Sequence, residues 1–549
     1  MKRNKWSKVL LGAALSAALI AGAQTEARAE RVSSDYSDFI RGADVSMLGD
    51  IERLGGKFYD GGVQKDALQI MNQHGANYVR LRLWVNPYDS EGNSYGGGSN
   101  DFQMTLKLAK RAKAQGMKVL VDFHLSDYWA DPGTQSKPKE WANLSYEQLK
   151  STLYHYMKDT MNDFKAQGII PDMIQVGNET SSGILWDEGR IGGTYTEFHQ
   201  LAELLNQAIT GVRDAVGDQT KIVLHLDNGG NNSLYRWWFD GVTGCGYDLD
   251  FDIIGLTYYP MWHGTMEDLQ YNLNDISARY DKDVMIVETA YAFTLADGDG
   301  LGSSFSPDDE KIGGYPASVQ GQMDFMSDLE SVILNVPNNR GLGFFYWEPE
   351  WIPVEGAYWG TEAGKEYIDD NGLLSNPWDN LALFDFDGNA LESIDIFQRP
   401  EQNLIVNPGF EADGLTNTPS GWQVWLDDGV DASTVKTEVN GYEGGYKLSF
   451  WNSSDYGCSI YQTVTGLEDG TYTLSAWVMT NAGQKVNQLY AKNYGGEELN
   501  QTLPVSDLGW NKVVIDNIKV TNGQCEIGVY SVANGGDWCN IDHMILRKK

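Results

Sequence analysis

Between Arg41 and Leu391, short apolar runs of strand length alternate with longer stretches of helical periodicity. Eight runs read as strands: Ala43–Leu48, Tyr78–Val85, Lys118–His124, Met173–Val176, Ile222–Leu226, Ile253–Tyr258, Val284–Glu288 and Gly343–Trp347. Amphipathic stretches lie between them, among them Gln103–Gln115, Tyr146–Gln167, Phe198–Val216 and Ser318–Asn335. Gly116, Gly168 and Gly217 follow three of these, where a helix C-terminus favours glycine. Eight strand–helix units predict an α/β fold with right-handed crossovers, and eight is the number that closes a (β/α)8 TIM barrel. A doubly wound sheet is the alternative, but no G-x-G-x-x-G or Walker turn follows the first strand. After Gln398-Arg399-Pro400 the period shortens to two, as in Tyr472–Val478 and Lys512–Val520, and helical periodicity fades. A C-terminal antiparallel β-sandwich is predicted there, joined closely to the barrel because no low-complexity linker intervenes.

The first residues change the picture of compartment. Lys2, Arg3, Lys5 and Lys8 precede an apolar run from Val9 to Ala21 and an Ala27-Arg28-Ala29 cleavage pattern, which reads as a secretory signal over residues 1–29. The run is shorter than the ~20 residues a spanning helix needs, and no later segment is long and apolar enough to span. The expected organisation is therefore a signal peptide (1–29), a barrel (30–399) and a sandwich (400–549) in a secreted, extracellular monomer. Four Cys are too few for a disulfide framework. One bond among Cys458, Cys525 and Cys539 is expected, its pairing left open.

Charge and composition narrow the partners. The chain of 549 residues carries 41 Lys+Arg against 76 Asp+Glu, a net charge of −35. Without the leader, 36 basic residues face 75 acidic ones. So acidic a chain is unsuited to a phosphate backbone, and a nucleic-acid partner is excluded. With 18 Trp and 29 Tyr it is rich in flat amphipathic side chains, which suits neutral, hydroxylated ligands such as sugars.

In such a barrel the reactive residues stand at the C-terminal strand ends. Alternation in Arg80-Leu81-Arg82-Leu83-Trp84 puts Arg80, Arg82 and Trp84 on one inner or rim face. Glu179 ends the fourth strand and Glu288 the seventh, nearly opposite each other in an eight-strand ring. Glycoside hydrolysis needs two carboxyl groups flanking the scissile bond. The plainer reading is a pair of rim carboxylates bridged to Arg80 or Arg82; Asn178, an amide beside the acid, favours the catalytic one. Arg80 is expected near Glu288 to keep it ionised, whereas Glu179 needs a raised pKa. His124, His225 and His263 lack the spacing of a zinc site and read as sugar contacts or core. Asp227 with His225 is a hydroxyl-binding or a rim pair. No G-x-S-x-G elbow marks a serine hydrolase. Asp297-Gly298-Asp299-Gly300 begins like a calcium loop but lacks the Glu of an EF-hand, and an ordinary turn is the plainer reading.

Gly42 to Ser46 (GADVS), Tyr78 to Pro87 (YVRLRLWVNP), Asp122 to Pro132 (DFHLSDYWADP), Gly177-Asn178-Glu179, His225-Leu226-Asp227, Tyr258-Tyr259-Pro260, Val287-Glu288-Thr289 and Tyr346 to Pro349 (YWEP) together resemble the endo-β-1,4-galactanases of glycoside hydrolase family 53. The resemblance runs from about Arg41 to Phe397. It implies an arabinogalactan endo-β-1,4-galactanase acting by retaining double displacement on the β-1,4-galactan of type I arabinogalactan. By position, Glu179 is the acid/base and Glu288 the nucleophile. Arg80 and Asn178 support the nucleophile and the 2-hydroxyl, and Trp129, Asp131, Asp227 and Trp347 line the subsites. His124, His225 and Tyr258 complete the expected substrate-binding set. Resemblance to bacterial members also implies a calcium site, with Asp297 and Asp299 facing Asp379 and Asn380, although Leu301 stands where a polar residue is expected. Asn403 to Glu411 (NLIVNPGFE) is similar to the opening of galactose-binding-like modules, of which family 61 binds galactan. Trp422, Trp425, Trp451, Tyr456, Trp510 and Trp538 are the candidate stacking residues, about half of them core. The rival readings are another endo-glycanase of the same clan, a mannanase or xylanase, and a non-catalytic glycan-binding surface protein.

Overall fold

The computed structural model describes residues 39–368, 374–398, 403–442, 445–506 and 509–548; the leader expected over 1–29 lies outside them. Eight strands, β1 (Ile40–Asp44), β2 (Tyr78–Leu83), β3 (Lys118–Phe123), β4 (Met173–Val176), β5 (Lys221–Leu226), β6 (Ile253–Thr257), β7 (Asp283–Thr289) and β8 (Gly341–Trp347), form a closed parallel barrel. β1 pairs with both β8 and β2, so the sheet has no edge and the doubly wound alternative is ruled out. The first strand is displaced from its expected place. Asp44 Oδ1 accepts from Ser46 N (3.2 Å) and Ser46 Oγ (2.6 Å), which turns the chain into a short helix at Leu48–Arg53.

Helices α1 (Ala67–Gln73), α2 (Phe102–Ala114), α3 (Tyr146–Ala166), α4 (His199–Val216), α5 (Asn232–Thr243), α6 (Met266–Tyr280) and α7 (Val319–Leu334) follow the first seven strands. After β8 come a short helix, Glu362–Ile368, and then a 3-10 segment, Glu392–Phe397. Local chemistry starts the helices where the sequence does: Ser145 and Gln148 form a capping box on α3, and Thr265 and Asp268 one on α6.

Inside the barrel, Tyr78, Leu120, Met173, Val223, Ile253, Met285 and Phe345 make an apolar plug. Side chains alternate along a strand, so the next inward position on four strands is polar: Arg80, Asp122, Gln175 and His225, all buried. In β7 the alternation breaks. Met285 and Val287 both belong to the plug, which would turn Glu288 outward. The register slips here, however: Leu256 pairs with Ile286 but Thr257 with Glu288, and β8 shifts likewise beside Thr289. This bulge gives Glu288 its inward aim.

The C-terminal region is a sandwich of two five-stranded antiparallel sheets. Its strands are β9 (Gln423–Leu426), β10 (Val435–Val439), β11 (Tyr446–Trp451), β12 (Tyr456–Thr465), β13 (Gly470–Thr480), β14 (Gln484–Lys492), β15 (Leu499–Thr502), β16 (Asn511–Val520), β17 (Gln524–Ala533) and β18 (Trp538–Lys548). The sheet orders are β9-β12-β17-β14-β15 and β10-β11-β18-β13-β16. Phe450, Ile460, Leu474, Leu489, Val529 and Ile541 lie in the core between them. The disulfide expected among Cys458, Cys525 and Cys539 is not made; all three are buried thiols that pack as small hydrophobes, and burial pushes their pKa values up. Of the candidate stacking residues, Trp422 and Tyr456 are core, Trp510 and Trp538 half-buried, and Trp425 and Trp451 are 43% and 45% exposed. The sandwich meets α7 of the barrel through Lys512 Nζ, 3.3 Å from Asp328, and Arg547 Nη2, 3.2 Å from Ser331 Oγ. Among the described residues no helix is long and apolar enough to cross a membrane.

Candidate active site

The polar layer above the plug is organised by one guanidinium. Arg80, fully buried, spends all five N–H groups: Nε on Gln175 Oε1 (3.3 Å), Nη1 on Asp44 Oδ2 (2.8 Å) and Glu288 Oε2 (3.2 Å), Nη2 on Asp122 Oδ2 (2.9 Å) and Asn178 Oδ1 (2.8 Å). A charge buried this deeply is tolerated only when its partners answer it, and here three carboxylates do. Glu288 takes its second bond from Tyr259 OH at 3.0 Å on Oε1. Burial pushes Glu288 up to about 7, against the opposing pull of Arg80. The expected Arg80 contact is therefore present, but desolvation outweighs it.

Glu179 follows Gly177 (φ +81°) and itself adopts φ +47°, a left-handed turn that lifts the carboxylate off the end of β4. Its Oε1 accepts from Thr257 Oγ1 at 2.7 Å. Thr257 Oγ1 lies 2.8 Å from His225 Nε2, and His225 Nδ1 faces two donors, Gln175 Nε2 (3.0 Å) and Glu179 N (3.2 Å). Nδ1 must then be the bare nitrogen, so the ring proton is on Nε2 and points at Thr257, whose hydroxyl proton points at Glu179. Burial holds His225 neutral, well below the usual imidazole range. This one-way chain leaves Oε2 of Glu179 as the oxygen free to carry a proton. Burial, then Glu288 and Asp227, push the Glu179 carboxyl well above the ordinary carboxylate range.

The remaining expected site residues divide by surroundings. Trp129 and Trp347 stand on the rim with Arg82 between them, its guanidinium 4.5 Å and 5.4 Å from their rings. Glu348 Oε1, 2.5 Å from Arg82 Nη1, anchors that cation, and Trp359 stacks on Trp129 at 4.2 Å. Asp131 and Asp227 are half-buried, and burial raises both. Asn178 spends its amide on Ala130 O (2.8 Å) and its oxygen on Arg80. His225 and Tyr258 are enclosed by protein, the latter bonded to Gly264 O (3.0 Å), so their burial matches a supporting rather than a sugar-touching place. His124 is likewise buried, with Nδ1 accepting from Ala130 N (3.2 Å) and Nε2 3.1 Å from Asp122. Sequence reasoning missed Thr257, Gln175, Asp44, Tyr259 and Glu348 as parts of the site. Tyr259 and Glu348 had a signal, since both stand in strand-end motifs.

Away from the carboxylate pair, Asp297, Asp299 and Asp379 each turn an oxygen into one cluster, all within 4.8 Å of one another. Asp379 Oδ1 is buried without a hydrogen-bond partner, as is Asn380 Oδ1. Burial, with Asp299 and Asp297 adding, pushes Asp379 up to about 6.

Comparison with known proteins matches this geometry to a family. Residues 40–397 fit the model described as glycosyl hydrolase family 53, and residues 402–521 that of a carbohydrate binding domain. The chain is 38% identical over 408 residues to an endo-beta-1,4-galactanase of Bacillus subtilis, spanning 69% of this chain and 91% of that protein. It is 34% identical over 364 residues to an arabinogalactan endo-beta-1,4-galactanase A of Aspergillus niger, spanning 65% and 94%. Among solved structures, a family 53 catalytic domain from Ignisphaera aggregans matches with TM-score 0.62 and 42% identity, over 66% of this chain and 97% of that one. A match that takes in the whole barrel, with both opposed glutamates inside it, shows that the chain belongs to glycosyl hydrolase family 53 and carries a C-terminal carbohydrate-binding domain.

Proposed function

We propose that the protein is a secreted, retaining endo-β-1,4-galactanase that cleaves the β-1,4-galactan of type I arabinogalactan. The observation that carries the reaction is the contrast between the two glutamates: Glu288 is held by a guanidinium and a phenol, Glu179 by a single hydroxyl among acidic neighbours. Ionised Glu288 attacks the anomeric carbon while Glu179 gives the proton on Oε2 to the departing glycosidic oxygen. Glu179, now ionised, then takes a proton from water, which releases the sugar from Glu288. Substrate and endo action rest on the likeness to the galactanases of Bacillus subtilis and Aspergillus niger. That likeness, with a complete carboxylate pair, disfavours a mannanase, a xylanase or a non-catalytic binder.

Incubation with β-1,4-galactan should give oligosaccharides of mixed length, whereas mannan and xylan stay intact. Proton NMR of the first products should show the β-anomer, as double displacement requires; an α-anomer would contradict it. Glu288→Gln should abolish nearly all turnover, and Glu179→Gln should cost about 10²–10⁴-fold.

Calcium is the expected structural ion. Three converging carboxylates with an orphaned buried oxygen at Asp379 form the hard oxygen set that Ca²⁺ prefers, with Asn380 alongside, and they fit it. The bound ion would neutralise like charges joining the loop after β7 to the segment before Asn380. Secretion rests on the leader-like sequence. A galactan-binding role for the sandwich rests on the sequence likeness of its opening segment and on exposed Trp425 and Trp451.

A further inference from the structure

β8 runs out into Trp347-Glu348-Pro349-Glu350-Trp351, a segment with two carboxyl groups between two Trp. Glu348 adopts φ +50°, a left-handed turn at the strand end, and both Glu348 and Glu350 are fully buried. Glu348 has partners: Oε1 lies 2.5 Å from Arg82 Nη1, and Oε2 accepts from Met47 N (3.2 Å). Among the described residues Glu350 has no ion-pair partner, and neither of its oxygens meets a hydrogen-bond partner. It faces the carboxyl of Glu348, with Asp44 beyond. Asp44 is committed to Arg80 (2.8 Å) and stands 3.5 Å from Arg82. Two guanidiniums, Arg80 and Arg82, thus already answer four carboxylates, Asp44, Asp122, Glu288 and Glu348. A fifth, ionised at Glu350, would be a buried charge with nothing to pair it, and such a group takes up a proton instead.

We propose that Glu350 is a positioning residue that acts in its un-ionised form: its O–H donates to Glu348, which stays a single anion aimed at Arg82, and Arg82 in turn holds Trp129 and Trp347 in place. In its bearing on the sugar site the inference rests on the glycanase reading above. Burial pushes Glu348 up to about 8 against the pull of Arg82, and burial followed by Glu348 pushes Glu350 well above the ordinary carboxylate range. Glu348 alone has the cation, so of the two Glu350 keeps the proton, a neutral acid serving as a donor. The same segment supports the rim from beneath. Trp351 donates from its indole N–H to Ala357 O (2.8 Å) and lies parallel to Trp359 at 6.1 Å, the ring that stacks on Trp129.

The test uses the full chain with Glu350→Gln, which keeps an N–H donor toward Glu348 but cannot ionise, and Glu350→Leu, which keeps neither donor nor charge. In the infrared difference between the native chain and Glu350→Gln at neutral pH, the band lost should be the carbonyl stretch of an un-ionised carboxyl. Loss of an ionised-carboxylate band instead overturns the proposal. A carboxyl with a raised pKa costs the fold stability as pH rises above its unfolded value, so Glu350→Gln should raise Tm at neutral pH, with the gain shrinking toward about pH 4. With β-1,4-galactan, Glu350→Leu should raise KM about tenfold with a smaller effect on kcat, the size of one hydrogen bond to a charged group, and Glu350→Gln should restore the native KM. Equal KM values for the two variants overturn the positioning role. Should Glu350→Leu fail to fold, the infrared band and the pH dependence of Tm in Glu350→Gln decide the matter. A native chain that leaves galactan intact overturns the glycanase reading and the positioning role with it; one that cuts galactan without the un-ionised band overturns the shared proton alone.

Discussion

At Glu179 and Glu288 the surroundings set a pH dependence. Activity needs Glu288 ionised and Glu179 protonated, so the rate falls on the acid side as the pair takes up its second proton and on the alkaline side as Glu179 loses its own. With Glu288 pushed up to about 7, the acid limb of kcat/KM is expected well above the ordinary carboxylate range. Arg80 lowers that pKa, so Arg80→Met should move the acid limb upward as well as reducing the rate. The Thr257 hydroxyl lowers the pKa of Glu179, so Thr257→Val should move the alkaline limb upward. A pH profile of kcat/KM for each variant checks both signs. Glu179 and Arg80 were legible in the sequence because strand ends and strict alternation put them there. The inward aim of Glu288 was not, since it depends on a bulge that period-two reading turns the other way.

Among the elements, the barrel strands after the first and the four helical stretches named from periodicity were legible to within a residue or two, because each apolar run faces both plug and helix layer. β1 was the exception: Ala43-Asp44-Val45-Ser46 alternates like a strand, yet the Asp44 carboxylate captures Ser46 and ends it. The acidic loop after β7 carries a prediction of its own. A carboxyl with a raised pKa loses stability for the fold as pH rises past its unfolded value, so Asp379 should destabilise the loop at neutral pH unless a cation is bound. Adding Ca²⁺ should raise Tm, chelation should lower it, and Asp379→Ala should remove the difference. An identical Tm with Ca²⁺ and with chelator in the native chain would exclude the ion.

Across the whole molecule, division into barrel and sandwich was legible from the change of period, but not how the two are held. Contacts such as Lys512 with Asp328 join residues 184 apart, and no local pattern encodes them. They also make truncation an impure test of binding, because removal of the sandwich strips partners from α7. Substitution of exposed rings avoids this. Trp425→Ala with Trp451→Ala should weaken retention on insoluble galactan while leaving hydrolysis of short oligosaccharides near the native rate, and equal retention would remove the binding role. The acidic, Trp-rich composition pointed only to neutral sugars; the linkage came from ordered motifs and the opposed glutamates. Size-resolved analysis of products from β-1,4-galactan, with mannan and xylan in parallel, bears most directly on the proposed activity. Mixed-length galacto-oligosaccharides from galactan alone are the expected result; intact galactan, or cleavage of mannan or xylan instead, would contradict it.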